Sequence, residues 1–366
     1  MDSVFSKRRN KILEHIVEKG MDKAVIINPQ NICYLTGIRV VPYERLFLLI
    51  IDAVSESCSF VMPNVDKELP LDPSVNKLLY VDEDDPADVL KETLGDFNVL
   101  GVEMGKITLD LYNKIRNCSH AVEMQDVGQA LTQLRLHKDI EEIDLIRTAV
   151  SYSDQVFNEI AAKIKPGITE KAILADIFNM ISAKEGAVTN PFIIQALCGE
   201  HTASPHGEPG DRKLEKGDPL TIDFSVCYAY YWSDCTRTFF LGQPDPRMEI
   251  IYKINLAAQE KAFGKIKPGV KIKELDIAAR SFVEKAGYGK YYLHRTGHGI
   301  GLDVHELPNL HSVNEEYLEE GMTFTVEPGI YVPGLGGVRI EDNVLVTADG
   351  VEILSRYPKE FSSMIL

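Results

Sequence analysis

The chain has 366 residues, with 39 Lys and Arg against 55 Asp and Glu for a formal charge of −16, 45% hydrophobic and 26% charged residues. That balance excludes a disordered or low-complexity chain, and the length calls for about two domains, each able to bury a core. The acid excess, with no basic block beside it, argues against nucleic acid or an anionic membrane as a partner.

The first twenty residues, MDSVFSKRRNKILEHIVEKG, scatter charge through every turn and contain no apolar stretch of the kind a secretory signal needs. Ile12, Leu13, Ile16 and Val17 fall at helical spacing and predict a helix over 5–19, ended by Gly20. Apolar runs at 24–27, 46–51, 58–62, 78–81 and 98–102 alternate with helical patterns at 86–94 and 108–117, which reads as an α/β unit. The run LFLLII at 46–51 is far below the roughly 20 residues of a membrane span and reads as a buried strand. A second long amphipathic helix is predicted from Leu134 until Pro166-Gly167 stops it, so the boundary is drawn at 127/128, giving domains 1–127 and 128–366. Cysteines 33, 58, 118, 198, 227 and 235 form no C-x-x-C pair and read as idle thiols of a reducing, cytoplasmic protein.

The second domain carries an internal repeat. KIKPG begins at Lys163 and again at Lys265, 102 residues on; Gly217 precedes Asp223, and Gly321 precedes Glu327, by six residues in similar apolar runs 104 residues apart. Two copies of a helix-then-strand unit, each placing a carboxylate on a strand, predict a pseudo-twofold domain with a site at its centre.

The acids at those landmarks come in pairs. Asp223 and Asp234 lie in adjacent strand-like segments of TIDFSVCYAYYWSDCTRTFF, and their odd spacing can bring both side chains to one face of a hairpin; a pair of hydrogen-bonded buried acids, or ion pairing to Arg237, is the structural alternative. Glu327 ends the run Phe324-Thr325-Val326 before Pro328-Gly329, and Glu341 follows Val338-Arg339-Ile340. Four such carboxylates brought together repel one another unless a cation intervenes, which makes them candidate metal ligands. His298, between Gly297 and Gly299 in HRTGHGIGLDVHELPN, offers an imidazole where the backbone can approach another element closely. Four acids with one imidazole suit Mn, Co, Zn or Fe(II), and are too many for one catalytic zinc but apt for two bridged metals. GVEMGKIT at 101–108 fails the phosphate-loop spacing, His305-Glu306 lacks the second histidine of a zincin helix, and no G-x-S-x-G is present.

With these residues in place, IDF…SDCTRTFF, HRTGHGIGLDVHELP, TVEPGIYVPG and GVRIEDNVLV closely resemble the proline-peptidase branch of the pita-bread metallopeptidases, which contains Xaa-Pro dipeptidase (prolidase) and Xaa-Pro aminopeptidase (aminopeptidase P). The resemblance covers about 130–366, and the preceding residues look like a creatinase-type N-terminal domain. It implies an α/β two-domain chain, the N-terminal α/β domain followed by a pita-bread α+β catalytic domain, and a cytoplasmic homodimer in which one chain's N-terminal domain reaches the other's pocket. It further implies two divalent cations, manganese first and cobalt, zinc or iron as alternatives. Asp234 and Glu341 would bridge them, with Asp223 completing one and His298 and Glu327 the other. His206 matches a substrate-side histidine, His305 one that contacts the substrate carbonyl or the tetrahedral intermediate, and Arg339 an arginine that contacts substrate or supports the site; Glu327 would also shuttle a proton. His201, His294 and His311 match no role and read as surface histidines. The implied activity is hydrolysis of the Xaa-Pro bond of a peptide with proline in second position. Prolidase is the first choice, aminopeptidase P the alternative, and a non-enzymatic binding protein on the same fold the reading from a different class. One departure stands out: Ser225 and Tyr230-Tyr231 stand where relatives commonly have a glycine two residues after the first ligand and a Gly-Tyr before the Ser-Asp.

Overall fold

The computed structural model describes residues 3–118 and 123–366, which fall into two compact units, Met1–Arg135 and Leu136–Leu366. This division falls at the last residue of the helix Gly128–Leu136, eight residues later than the boundary drawn from sequence.

In the first unit, helix α1 (Val4–Glu18) is capped by the Ser3 hydroxyl, which accepts from Ser6 N at 3.1 Å, and it buries Ile12 and Ile16. Next come β1 (Lys23–Ile26), α2 (Pro29–Thr36), β2 (Leu48–Asp52), β3 (Ser57–Pro63), β4 (Val75–Tyr80), α3 (Pro86–Leu94), β5 (Val99–Val102), α4 (Leu109–Cys118) and β6 (Glu123–Asp126). The sheet runs β4-β3-β2-β1-β5-β6, with β2 antiparallel to β1 and β3 and the outer pairs parallel. The 46–51 run supplies β2 at its centre, where Leu48, Leu49, Ile50 and Ile51 are all buried. The rejected phosphate loop is held by its own acid: buried Glu103 accepts from Asn28 N at 2.7 Å and from the Asn31 amide. Short helix α5 (Gly128–Leu136) follows.

The long helix expected from Leu134 to Pro166 is interrupted. Asp139 builds a reciprocal capping box with Glu142, so a new helix, α6 (Ile140–Ala161), starts there; the intervening Lys138 N–H donates to Gly321 O at 3.0 Å. The second unit then runs α7 (Glu170–Ser182), β7 (Ala187–Val188), β8 (Gln195–Cys198), β9 (Pro219–Tyr228), β10 (Tyr231–Phe240), α8 (Pro246–Phe263), α9 (Lys273–Lys285), β11 (Gly297–Gly299), β12 (Glu306–Leu310), β13 (Thr323–Val326), β14 (Gly329–Val332), β15 (Gly336–Arg339), β16 (Asp342–Thr347) and β17 (Gly350–Ile353).

The repeat is visible in this order. Each half presents a long helix (α6, α8), the KIKPG turn, a shorter helix (α7, α9) and then an antiparallel sheet. The paired glycines do the same work: Gly217 and Gly321, both at positive φ, donate to Leu241 O and Val346 O at the far ends of the partner strands. One sheet is β10-β9-β7 with β8 also on β9, the other is β12-β11-β13-β16-β17, and β14-β15 form a separate hairpin. This is the pseudo-twofold α+β architecture expected. Helix α6 covers the first sheet through Phe157, fully buried with its ring 4.7 Å from Phe224 and 6.2 Å from Phe239; an aromatic buried to that extent contributes roughly 2–3 kcal/mol.

No disulfide links the described cysteines; Cys33, Cys58, Cys198, Cys227 and Cys235 are buried, and the Cys118 side chain lies outside the described residues. Among the described residues no helix is long and apolar enough to cross a membrane.

Candidate metal centre

The first two acids are set by the β9–β10 hairpin. Its two-residue turn, Ala229-Tyr230, has both residues at positive φ, the geometry that matches strand twist in a tight hairpin. The register pairs Asp223 with Thr236 and Ser225 with Asp234, and directly opposed residues share a face, so the odd spacing of the acids puts both toward the centre of the domain. Arg237, with the opposite parity, points away. It pairs with Asp342 at 2.7 Å and donates to the carbonyls of Glu341 and Tyr357, so the alternative partner for Asp223 and Asp234 is occupied elsewhere. The Ser225 hydroxyl donates to Asp234 Oδ1 at 2.8 Å.

The other half supplies the remaining donors. Glu327 follows β13 and Glu341 sits between β15 and β16; Glu341 N donates to Thr236 O, and the Thr236 hydroxyl donates to Glu341 Oε2 at 2.7 Å. Asn343 ties the halves together, its amide receiving Asp234 N at 3.0 Å and donating to Asp234 O at 2.8 Å. His298 occupies the middle of β11, and a side chain on either flanking glycine would run into backbone, of Thr325 beside Gly297 and of Leu307 beside Gly299. His298 Nε2 lies 3.3 Å from Glu327 Oε1 and 3.6 Å from Asp234 Oδ2.

Among the described residues three overlapping donor groups result: Asp223, Asp234 and Glu341; His298, Glu327 and Glu341; and Asp234, His298 and His305, each with its ligand atoms within 4.8 Å of one another. All five sequence-selected metal donors are thus brought together, with His305 beside them. Burial, and then the neighbouring acids, push the carboxyls of Asp234, Glu327 and Glu341 well above the usual carboxylate range. Burial and then His305 hold His298 well below the usual imidazole range, hence neutral and able to coordinate. Carboxylates packed this closely resist joint ionisation, and a divalent cation relieves that conflict; oxygen donors with one neutral imidazole are a set such cations accept. The residues therefore fit divalent metal.

Around the donors lies a cavity of about 860 Å³. Arg339 is buried beneath it, holding Asp223 Oδ2 at 2.5 Å, Gln195 Oε1 at 2.8 Å and the Tyr331 hydroxyl at 2.8 Å. Exposed His206 sits on the wall, on a loop whose two ends are clamped by fully buried Glu170, which accepts from Cys198 N and Gly210 N at 2.8 Å each. His305 faces the cavity with its ring centroid 3.9 Å from that of His298. Its turn is braced from below by Lys138, which donates to Glu306 Oε1 at 2.7 Å in a pair almost wholly out of solvent.

The surface reading of His294 is overturned. This residue lines the cavity, its Nε2 bonded to the Tyr331 hydroxyl at 2.8 Å and its Nδ1 4.0 Å from Glu327 Oε2, and burial followed by Arg339 pushes its pKa down to about 4. His201 is exposed as expected but bonds Glu170 at 3.1 Å. His311 is half-buried rather than a surface residue. Gln195, Tyr331, Glu170 and Lys138 also escaped the sequence reading.

Comparison with known proteins agrees with this geometry. Residues 144–348 match metallopeptidase family M24, and residues 8–137 match the creatinase/prolidase N-terminal domain. An uncharacterized peptidase of Staphylococcus epidermidis is 40% identical over 96% of this chain and 99% of its own. Among solved structures, an Xaa-Pro dipeptidase from Bacillus anthracis superposes with a TM-score of 0.90 at 30% identity, covering 99% of this chain and 100% of that one. An X-Pro aminopeptidase from Thermotoga maritima does so with a TM-score of 0.86 at 31% identity, covering 97% and 99%. Buried carboxylates around a histidine, on a duplicated scaffold that these profiles and structures share from end to end, make this chain a metal-dependent peptidase that belongs to the proline-peptidase branch of metallopeptidase family M24.

Proposed function

We propose that the protein is an Xaa-Pro dipeptidase: it hydrolyses the bond before proline in dipeptides, using two divalent cations held by Asp223, Asp234, His298, Glu327 and Glu341. The observation that carries a two-cation reading is the sharing of donors: Asp234, Glu341 and His298 each belong to two of the three donor groups, and of these only the two carboxylates have a second oxygen to offer a second cation. Manganese is the first choice of metal, with cobalt, zinc and iron as alternatives.

When bound, the cations supply an acidified water and a polarised substrate carbonyl. The chain's own residues do the rest. Glu327, at the end of β13 and facing the cavity, receives the water proton and passes it to the departing proline nitrogen. His305, which burial and then Arg295 keep below the usual imidazole range, is neutral at pH 7 and donates its N–H to the carbonyl oxygen as that oxygen gains charge. His206, which lines the same cavity, contacts the substrate. Arg339 keeps Asp223 oriented, and the substrate's free amine is anchored beside the acids, which limits cleavage to the first bond. The likeness to the Thermotoga maritima X-Pro aminopeptidase supports a second reading, in which longer Xaa-Pro-Yaa peptides are the substrates. The homodimer expected from the resemblance is part of the same proposal, and solution scattering tests it.

The deciding experiment strips the protein with chelator, reloads it with Mn or Co, and follows free proline from an Xaa-Pro dipeptide beside cleavage of the matching tripeptide. Release from the dipeptide is expected. Cleavage of the tripeptide alone establishes the second reading, and cleavage of neither with either metal refutes both and favours a binding protein.

A further inference from the structure

The two carboxylates common to more than one donor group are also the two that each receive a hydroxyl hydrogen bond from the β9–β10 hairpin. Thr236 donates to Glu341 at 2.7 Å and Ser225 to Asp234 at 2.8 Å; Asp223, by contrast, is held by the Arg339 guanidinium. An aspartate's terminal torsion is broad, so a carboxylate held at one point turns readily about its own axis. Here the Ser225 hydroxyl engages Oδ1 while Oδ2 faces His298 Nε2 at 3.6 Å, which assigns one oxygen to each side of the cluster. Ser225 is itself buried and fixed: it pairs with Asp234 across the hairpin, and its carbonyl accepts the Thr189 hydroxyl at 2.7 Å. Glycine, which the family resemblance leads one to expect at this position, has no group that could make the bond.

We infer that Ser225 is a positioning residue for the metal centre: its hydroxyl orients Asp234 before any cation arrives and so raises the affinity for divalent metal. The inference rests on reading the cluster as a cation site. Partners of this kind, hydrogen-bonded to a ligating side chain, typically change metal affinity by about 10–100-fold.

The test titrates Mn²⁺ into the chelated full-length protein by calorimetry, with wild type, S225A, S225G and S225T side by side and no substrate present. S225A and S225G should lose about 10-fold in affinity together, because both lack the hydroxyl, whereas S225T, which restores it, should stay near wild type. Melting of the four metal-free proteins is followed in parallel: S225G should melt lowest, since glycine weakens a strand interior, so an affinity loss equal in S225A and S225G separates orientation of Asp234 from any effect on folding. Unchanged affinity in S225A, or a loss in S225T as large as in S225A, overturns the role of the hydroxyl while leaving the metal site standing. A wild-type protein that takes up no Mn²⁺ overturns the cation site itself.

Discussion

Lys138→Met tests how the scaffold holds its chemistry in place. Lys138 and Glu306 form an ion pair with side chains 1% and 9% exposed, and Glu306 also receives Asp303 N at 3.3 Å, so it braces the turn that presents His305. Methionine fills the space of the lysine stem but removes the cation facing Glu306. Breaking a buried pair from one side costs about 3–5 kcal/mol, and because the Asp303 N–H still faces the carboxylate, about 3 is expected. The catalytic unit spans Leu136–Leu366. At about 2.1 cal/mol/K per residue, its unfolding entropy is near 0.5 kcal/mol/K, so that loss lowers Tm by about 6 °C. Activity should fall further than stability explains. Below the melting transition, kcat should drop by about 10-fold or more with metal content unchanged, because His305 is released while the five donors are not. Lys138→Arg, which keeps the charge, should recover much of both. Calorimetric melting and steady-state kinetics on metal-loaded protein provide the check. A Lys138→Met protein that melts and turns over like wild type would show that the pair is not what braces His305.

Removing metal should lower Tm by about 5 °C relative to protein held at 100 times its dissociation constant, since binding at that level adds about 2.7 kcal/mol; identical melting curves with and without chelator would contradict a site that binds in the folded state alone. Asp234→Ala and Glu341→Ala should each abolish metal uptake and proline release together, and a variant that still cleaves without metal would sink the proposed chemistry. Metal affinity should rise with pH. Asp234, Glu327 and Glu341 hold their protons above the usual carboxylate range, chiefly through burial, so a cation must displace protons that are scarcer at higher pH, whereas His298, already neutral near pH 7, releases none. Calorimetry in buffers of different ionisation enthalpy reads that release directly, and a heat independent of buffer would contradict it. Glu170→Ala strips Cys198 N and Gly210 N of their acceptor and should cost about 2–4 kcal/mol while raising KM through the His206 loop, whereas Glu170→Gln, which keeps an acceptor oxygen, should lose less on both counts.

Much of this protein is readable from its residues alone, for an identifiable reason. Acids are so costly inside strands that Asp223, Asp234, Glu327 and Glu341, placed in apolar runs, demand a cation or partner wherever the chain folds. The glycines around His298 and the 102-residue repeat likewise state a local requirement. Elements whose cause is local but weak were passed over: α2 is a short helix started by the Asn28 cap, and β6, Glu123-Met-Gln-Asp, has no β-branched residue to mark it. The Asp139 capping box was legible in principle but hidden inside a continuous amphipathic pattern.

What the sequence could not settle is which residues meet across long separations. Arg237 and Arg339 are both candidates to offset the acids on composition; only strand parity and sheet register send Arg237 to Asp342 and Arg339 to Asp223. His294 reads like any exposed histidine until β14 brings Tyr331 against it, and Lys138 gains its role from Glu306, 168 residues away. Ser225 is visible in the sequence as a substitution, yet only the hairpin register shows that its hydroxyl meets Asp234. The sequence by itself determined the donors, because their cost of burial is a property of each residue; the tertiary structure decided their orientation and support, because hydrogen bonds and ion pairs depend on distances that only the assembled fold sets.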